Sequence, residues 1–243
     1  MPNEYFKFKQ FTIHQDRCAM KVTTDACLFG GFAANEIQNQ IQVKNILDIG
    51  TGTGLLALML AQKNPDISID ALEIDKEAYE QADQNIAASP WAERIRALHV
   101  DVKDFKPRSR YDVIISNPPF YENELKGDDL QKNRAHHSDG LLLKELLSVI
   151  KENLDPAGSF YLLLPYKRNN EIKNLLLKNE FAISQMIFVR QSVKHDYFRL
   201  ILEGRLRSGT PAETMIREIS ICNKQQKYTD EFIKLLHDYY LHL

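Results

Sequence analysis

From Lys44 onward, short β-branched apolar runs alternate with longer segments of helical spacing. This alternation restricts the chain to βα units around a mostly parallel sheet with helices on both faces. Strands are expected at residues 45–49, 68–73, 96–99, 111–116 and 159–164. Helices fall at about 54–63, before Asn64-Pro65, and at 76–88, before Ser89-Pro90. A third covers about 141–153, with Leu143, Leu146, Leu147 and Ile150 at helical spacing, and a fourth lies near 169–178. Two further runs, 183–189 and 198–206, read as a hairpin closing the sheet. The expectation is a seven-stranded α/β fold.

No repeat, low-complexity tract or Gly/Ser linker divides the 243 residues, so one domain over 1–243 is expected, with 1–43 as an amino-terminal extension packing on the core. A formal charge of -2 and 44% apolar content exclude intrinsic disorder as the main state. The longest apolar run, Leu55 to Ala61, falls far short of the roughly 20 residues that cross a bilayer, so no membrane partner is expected. Met1-Pro2-Asn3-Glu4 lacks the basic-then-apolar order of a secretory signal, and a cytoplasmic monomer is the expectation. Cys18, Cys27 and Cys222 are too scattered for a disulfide framework or a metal knuckle and read as buried thiols.

Leu47-Asp48-Ile49-Gly50-Thr51-Gly52-Thr53-Gly54 places three glycines where a strand gives way to a helix. Glycine there permits a tight turn and lets a ligand lie against bare backbone. Glu73, 21 residues after Gly52, ends the next strand, where a carboxylate can accept hydrogen bonds from ribose hydroxyls. The dinucleotide fingerprint needs glycine three positions after Gly52, but Leu55 stands there. Acidic Asp48 beside the loop suits a cationic ligand better than a pyrophosphate, and S-adenosylmethionine carries such a charge. Asp101, in His99-Val100-Asp101-Val102, follows the third strand, where it can receive an adenine amino group while the Val102 N–H donates to the ring. Taken alone, Asp101 serves equally well as a turn residue.

The strand at 111–116 runs into Asn117-Pro118-Pro119-Phe120. An exocyclic amine conjugated with a ring is a poor nucleophile because its lone pair is delocalised. The Asn117 side-chain oxygen and the Pro118 carbonyl can accept its two N–H groups and favour a pyramidal nitrogen. The prolines stiffen that geometry, and Phe120 offers a face for stacking a base.

Asp48 to Gly54, Glu73, Asp101 and Asn117 to Phe120 resemble class I adenosylmethionine-dependent methyltransferases that modify exocyclic amino nitrogens. Lys21-Val22-Thr23-Thr24-Asp25 and Tyr228-Thr229-Asp230-Glu231-Phe232 look like segments of the bacterial valine tRNA adenine-37 N6-methyltransferases. The resemblance covers nearly the whole chain. It implies a Rossmann-like class I methyltransferase fold, S-adenosylmethionine as cofactor, and methyl transfer to N6 of adenine 37 in the anticodon loop of valine tRNA. It further implies that Asn117, Pro118 and Phe120 form the catalytic segment. Asp48, Gly50, Gly52, Glu73, Asp101 and Val102 would contact the cofactor, with Thr24 and Asp25 near its methionine end. Thr23 departs from the glycine expected there.

Residues 160–210 carry nine basic side chains against four acidic ones, an excess suited to phosphate contacts. Tyr5-Phe6-Lys7-Phe8-Lys9-Gln10-Phe11 interleaves rings and cations, as a base-stacking surface or an edge strand with one buried face would. Residues 122–140, with Arg134, His136 and His137, read as a polar flap, and the adjacent histidines lack ligand partners for a metal. Other acceptors sharing the chemistry are guanine N2 in ribosomal RNA, a release-factor glutamine and adenine in DNA. A catalytically dead RNA-binding fold is a reading from another class.

Overall fold

Eight strands form one sheet in the computed structural model, which describes residues 3–40, 42–119, 143–209 and 213–243. A hairpin of β1 (Tyr5–Lys7) and β2 (Thr12–His14) precedes α1 (Thr24–Gln38). The βα units follow as β3 (Asn45–Ile49), α2 (Leu55–Lys63), β4 (Ser68–Glu73), α3 (Lys76–Ala87), β5 (Ile95–His99) and β6 (Tyr111–Ser116). Beyond them come α4 (Leu143–Asn153), β7 (Leu154–Pro165), α5 (Asn169–Lys178), β8 (Phe181–Ser192), β9 (Tyr197–Leu206), β10 (Met215–Cys222) and α6 (Asp230–Leu236).

The sheet runs β10-β8-β9-β7-β6-β3-β4-β5, and only β9 opposes the rest. Side-chain alternation divides the core. Ile46, Val113, Ile115, Tyr161 and Leu163 face α1, α2 and α6, whereas Leu47, Ile114, Phe160 and Leu162 face α4 and α5. Covering both faces is what makes the central strands nearly continuous apolar runs.

The structure corrects the expected seven strands to eight. The additional one, β10, pairs in parallel with β8. Arg217 and Glu218 interrupt its apolar run, so only Ile219 and Ile221 show the alternation of a half-buried strand. A second unexpected element is α1, with ten of its 15 residues buried. Burial on nearly all sides removes the polar stripe that betrays a surface helix.

The amino-terminal segment resolves in favour of packing. Phe8 and Phe11 are buried and stacked with centroids 4.4 Å apart, Phe6 and Phe8 lie against Tyr240, and the Lys9 N–H donates to the Tyr239 carbonyl at 2.8 Å. The carboxy-terminal segment is likewise internal, with Phe232, Leu236 and Tyr239 fully buried. Thr229 caps α6, its hydroxyl accepting the Phe232 N–H at 3.3 Å. Cys18, Cys27 and Cys222 are free and buried.

At Gly204 in β9, the partner across the sheet is Phe160, and a β-carbon would stand 2.4 Å from the ring. Phe160 in turn meets Phe181 edge-on at 5.1 Å, so the ring has no room to retreat. Gly204→Ala is therefore expected to lose about 1–3 kcal/mol of stability through overpacking, seen as a lower urea midpoint. An unchanged midpoint would show that Phe160 yields without cost.

Candidate active site

The β3 and β6 strands lie side by side in parallel, and from them the chain departs in opposite directions: β4 and β5 to one side, β7 to the other. Such a reversal opens a crevice at the strands' carboxyl ends. The register pairs Ile49 with Ser116, and the Ser116 hydroxyl donates to the Ile49 carbonyl at 2.8 Å. Gly50 and Asn117, the next residue of each strand, thus leave the sheet as neighbours.

Gly50, Gly52 and Gly54 have φ of 70°, 57° and 80°, left-handed values that disfavour any side chain. Beyond the adjoining residues of the chain, no atom lies within 4 Å of where a β-carbon on Gly50 or Gly52 would stand, so their backbone is open to a ligand. The loop is held by the N–H groups of Gly50 and Thr51, which both donate to the Leu72 carbonyl at 2.9 Å. Buried Asn85 of α3 accepts the His14 N–H at 2.9 Å and donates to the carbonyls of His14 and Thr53 at 2.8 and 2.9 Å, fixing hairpin, helix and loop together.

Glu73 takes a structural part in this arrangement. Its carboxylate accepts the N–H groups of Gly52 at 2.8 Å and of Ile74 and Asp75 at 3.0 Å each. Three of its roughly four lone-pair directions are thereby used. Asp48 is fully buried; one oxygen accepts from the Thr51 hydroxyl at 2.6 Å, while Oδ1 has no protein partner. Burial, opposed by the bond from Thr51 and more weakly by the Ala57 backbone and reinforced by the Glu73 charge, pushes its pKa up to about 7.

A cavity of about 620 Å³, within the range of small-molecule sites, opens beside the glycine loop. Gly50, Gly52, Asn117 and Pro118 line it together with Thr23 and Asp25. Asn117 is half-buried and Pro118 buried. Thr24, Asp48, Glu73, Asp101 and Val102 are outside that lining; Thr24 sits between two residues that belong to it. Asp101 forms a turn, accepting the Lys103 N–H at 2.9 Å and facing the Lys103 ammonium at 3.6 Å. Thr23 needs no glycine, since its φ of -120° is extended and its hydroxyl accepts the Ala26 N–H to cap α1.

Phe120, the expected flap at 122–140 and its Arg134, His136 and His137 lie outside the described residues. The motifs did not reveal Lys167, Arg168, Tyr197, Phe198 and Arg199, which complete the cavity wall. Only the basic excess over 160–210 pointed that way. Arg199 crosses from β9 to α1, its Nε donating to Asp25 at 2.7 Å. Among the described residues, no group of three or more His, Cys, Asp or Glu could hold a metal, and no helix is long and apolar enough to cross a membrane.

Residues 32–191 match the family model of the methyltransferase small domain. The chain belongs to that family. The tRNA1(Val) (adenine(37)-N6)-methyltransferase of Parabacteroides distasonis is 37% identical over 244 residues, 99% of each chain. Its counterpart in Dyadobacter fermentans is 42% identical over 200 residues, covering 82% of this methyltransferase and 81% of the relative. Among solved structures, a predicted O-methyltransferase from Agrobacterium tumefaciens superposes with a TM-score of 0.66 at 16% identity, over 88% of this chain and 96% of the other. A SAM-dependent methyltransferase from Aquifex aeolicus gives 0.55 at 12% identity, over 75% and 93%. These two likenesses establish the Rossmann-like class I methyltransferase fold.

The buried Asp48 carboxyl makes stability pH-dependent. Its folded pKa of about 7 lies above the ordinary 3.8, so its contribution is full below the lower value and is lost as pH rises through the higher one. In the ligand-free protein, Asp48→Asn is expected to remove that loss: urea midpoints of variant and wild type should diverge in the variant's favour between about pH 4 and pH 8. Parallel pH profiles would show that the buried carboxyl is compensated elsewhere.

Proposed function

We propose that this methyltransferase transfers the methyl group of S-adenosylmethionine to N6 of adenine 37 in the anticodon loop of valine tRNA, in the cytoplasm. The observation that carries the reading is the placement of Asn117 and Pro118 in one cavity with the bare backbone of Gly50 and Gly52. The names of the full-length relatives supply the acceptor.

The residues present fit this cofactor. Asp48 Oδ1 is a buried acceptor without a protein partner, and the open faces of Gly50 and Gly52 leave room for a ligand against the chain. Gly50 and Gly52 would hold the cationic end, with Thr23 and Asp25 opposite, and the buried Asp48 would act on it electrostatically from outside the lining. Glu73 would act chiefly by fixing the Gly52 amide. Asp101 and Val102, on the β5 side, would take the adenine end. When bound, the cofactor supplies a methyl carbon made electrophilic by a sulfonium.

Asn117 and Pro118 supply orientation. Their two oxygens accept the N–H groups of the incoming amine, turn its lone pair toward the methyl carbon and stabilise the positive charge that grows on nitrogen. The resulting arylammonium is acidic enough to lose its proton to water, so the step needs no dedicated base. Phe120 follows after Pro119 in the chain and would stack on the target base, as its type and position suggest.

Asn117→Ala should keep cofactor affinity while lowering methyl transfer by about 10²–10³-fold, the usual loss for one group aimed at transition-state charge. Calorimetry with adenosylhomocysteine and transfer of labelled methyl to unmodified tRNA measure the two effects. Unchanged turnover would refute the clamp. Nuclease digestion should yield N6-methyladenosine; N2-methylguanosine instead would reassign the acceptor.

A further inference from the structure

The cavity wall that carries Asn117 is asymmetric in charge and in ring content. Lys21, Lys167, Arg168 and Arg199 bring four cations to the lining, of which Arg199 pairs with Asp25 at 2.7 Å and Arg168 with Glu171 at 2.6 Å. Lys167 and Arg168 belong to a short 3-10 turn, Tyr166–Arg168, directly after β7, and Arg199 and Phe198 belong to the adjacent β9. Phe198 is 36% exposed, high for a ring of its size. The Arg199 guanidinium lies 5.6 Å from its centroid.

The neighbouring rings give this face a rigid base. Tyr197 packs against Tyr166 at 5.1 Å and Phe188 at 5.6 Å, and Tyr166 meets Phe188 at 5.1 Å. Arg190 covers Tyr197 at 5.4 Å while donating to the Ser220 hydroxyl at 2.7 Å. Interlocked rings cannot swing away, so the backbone bearing Phe198 is held where β9 meets the cavity.

We propose that the Tyr166–Arg168 turn and the start of β9 form an RNA-docking face, in which Phe198 stacks on an unpaired base beside the target and Lys167 and Arg199 contact flanking phosphates. The inference deepens the proposed function and rests on RNA being the substrate. An exposed ring flanked by cations suits single-stranded nucleic acid, because every base has a π-face and every nucleotide a negative charge. Arg199 remains suited to a phosphate while paired with Asp25, since that bond uses Nε and a guanidinium carries five N–H donors. The other basic region, Lys103, Lys106, Arg108 and Arg110 between β5 and β6, lies beside the end of α4, and its one ring, Phe105, packs on the core.

The test uses the full-length protein, a fluorescent valine tRNA anticodon stem-loop and saturating adenosylhomocysteine. Phe198→Leu, which keeps bulk and loses the π-face, should weaken RNA binding about tenfold, and Phe198→Trp should retain it. Lys167→Gln should reduce the slope of log K against log salt by about 0.7, the loss of one single-strand phosphate contact. The double variant Lys106→Gln/Arg108→Gln should leave affinity within about twofold, and urea midpoints, which report folding, should be unchanged throughout. RNA affinity indifferent to Phe198→Leu and Lys167→Gln, or lost instead in the double variant, overturns the docking face. So does absence of RNA binding by the wild type. Wild type that binds RNA in the expected pattern but forms no N6-methyladenosine upholds the docking face and sinks the proposed function alone.

Discussion

Parallel pairing of β3 with β6 is the constraint on which the site depends. With Ile49 opposite Ser116 and the Ser116 hydroxyl bound to the Ile49 carbonyl, the two chains emerge from the sheet in step. A slip of one residue would turn Asp48 out of its buried place and carry Asn117 to the opposite face. The apolar runs on both sides of these strands forbid that slip, because it would exchange the residues facing α1 and α2 with those facing α4 and α5. Core packing thus sets the relative position of two loops that share no covalent link shorter than an entire βα excursion.

Buried polar groups then shape what the sheet only positions. Left-handed Gly50, Gly52 and Gly54 give the loop little intrinsic preference for one path. The Glu73 carboxylate and the Asn85 amide select it by binding its backbone directly, the first from β4 and the second from α3. A buried group that loses its partner costs about 1–3 kcal/mol, so these bonds oppose movement of the loop more strongly than their net contribution to folding would suggest.

Strands β3, β4 and β6 coincide with their sequence reading because buried parallel strands have abrupt ends, marked here by Gly50, Glu73 and Asn117. The strands at the other end of the sheet were less distinct. Charged residues enter β10, and α1 hides its periodicity by being buried almost all round. Of the site, the motif residues Gly50, Gly52, Asn117 and Pro118 meet at one cavity. Their neighbours Phe198 and Arg199 reach it only through the antiparallel return of β9, a long-range pairing without a local signature. Sequence spacing suggested a ribose contact for Glu73, yet only the folded geometry shows its carboxylate occupied by three amides.

The first hairpin cannot reach its final state early in synthesis. The Lys9 ammonium and the His237 carbonyl meet at 2.6 Å across 228 positions of chain, and the Phe8 ring rests on Tyr240. While a ribosome is still producing the intervening residues, Phe8, Phe11 and Ile13 have only part of their cover. Closing so long a loop is entropically slow. His14 also supports the glycine loop through Asn85, so the hairpin that the far carboxy-terminal segment covers is the same one that braces the pocket.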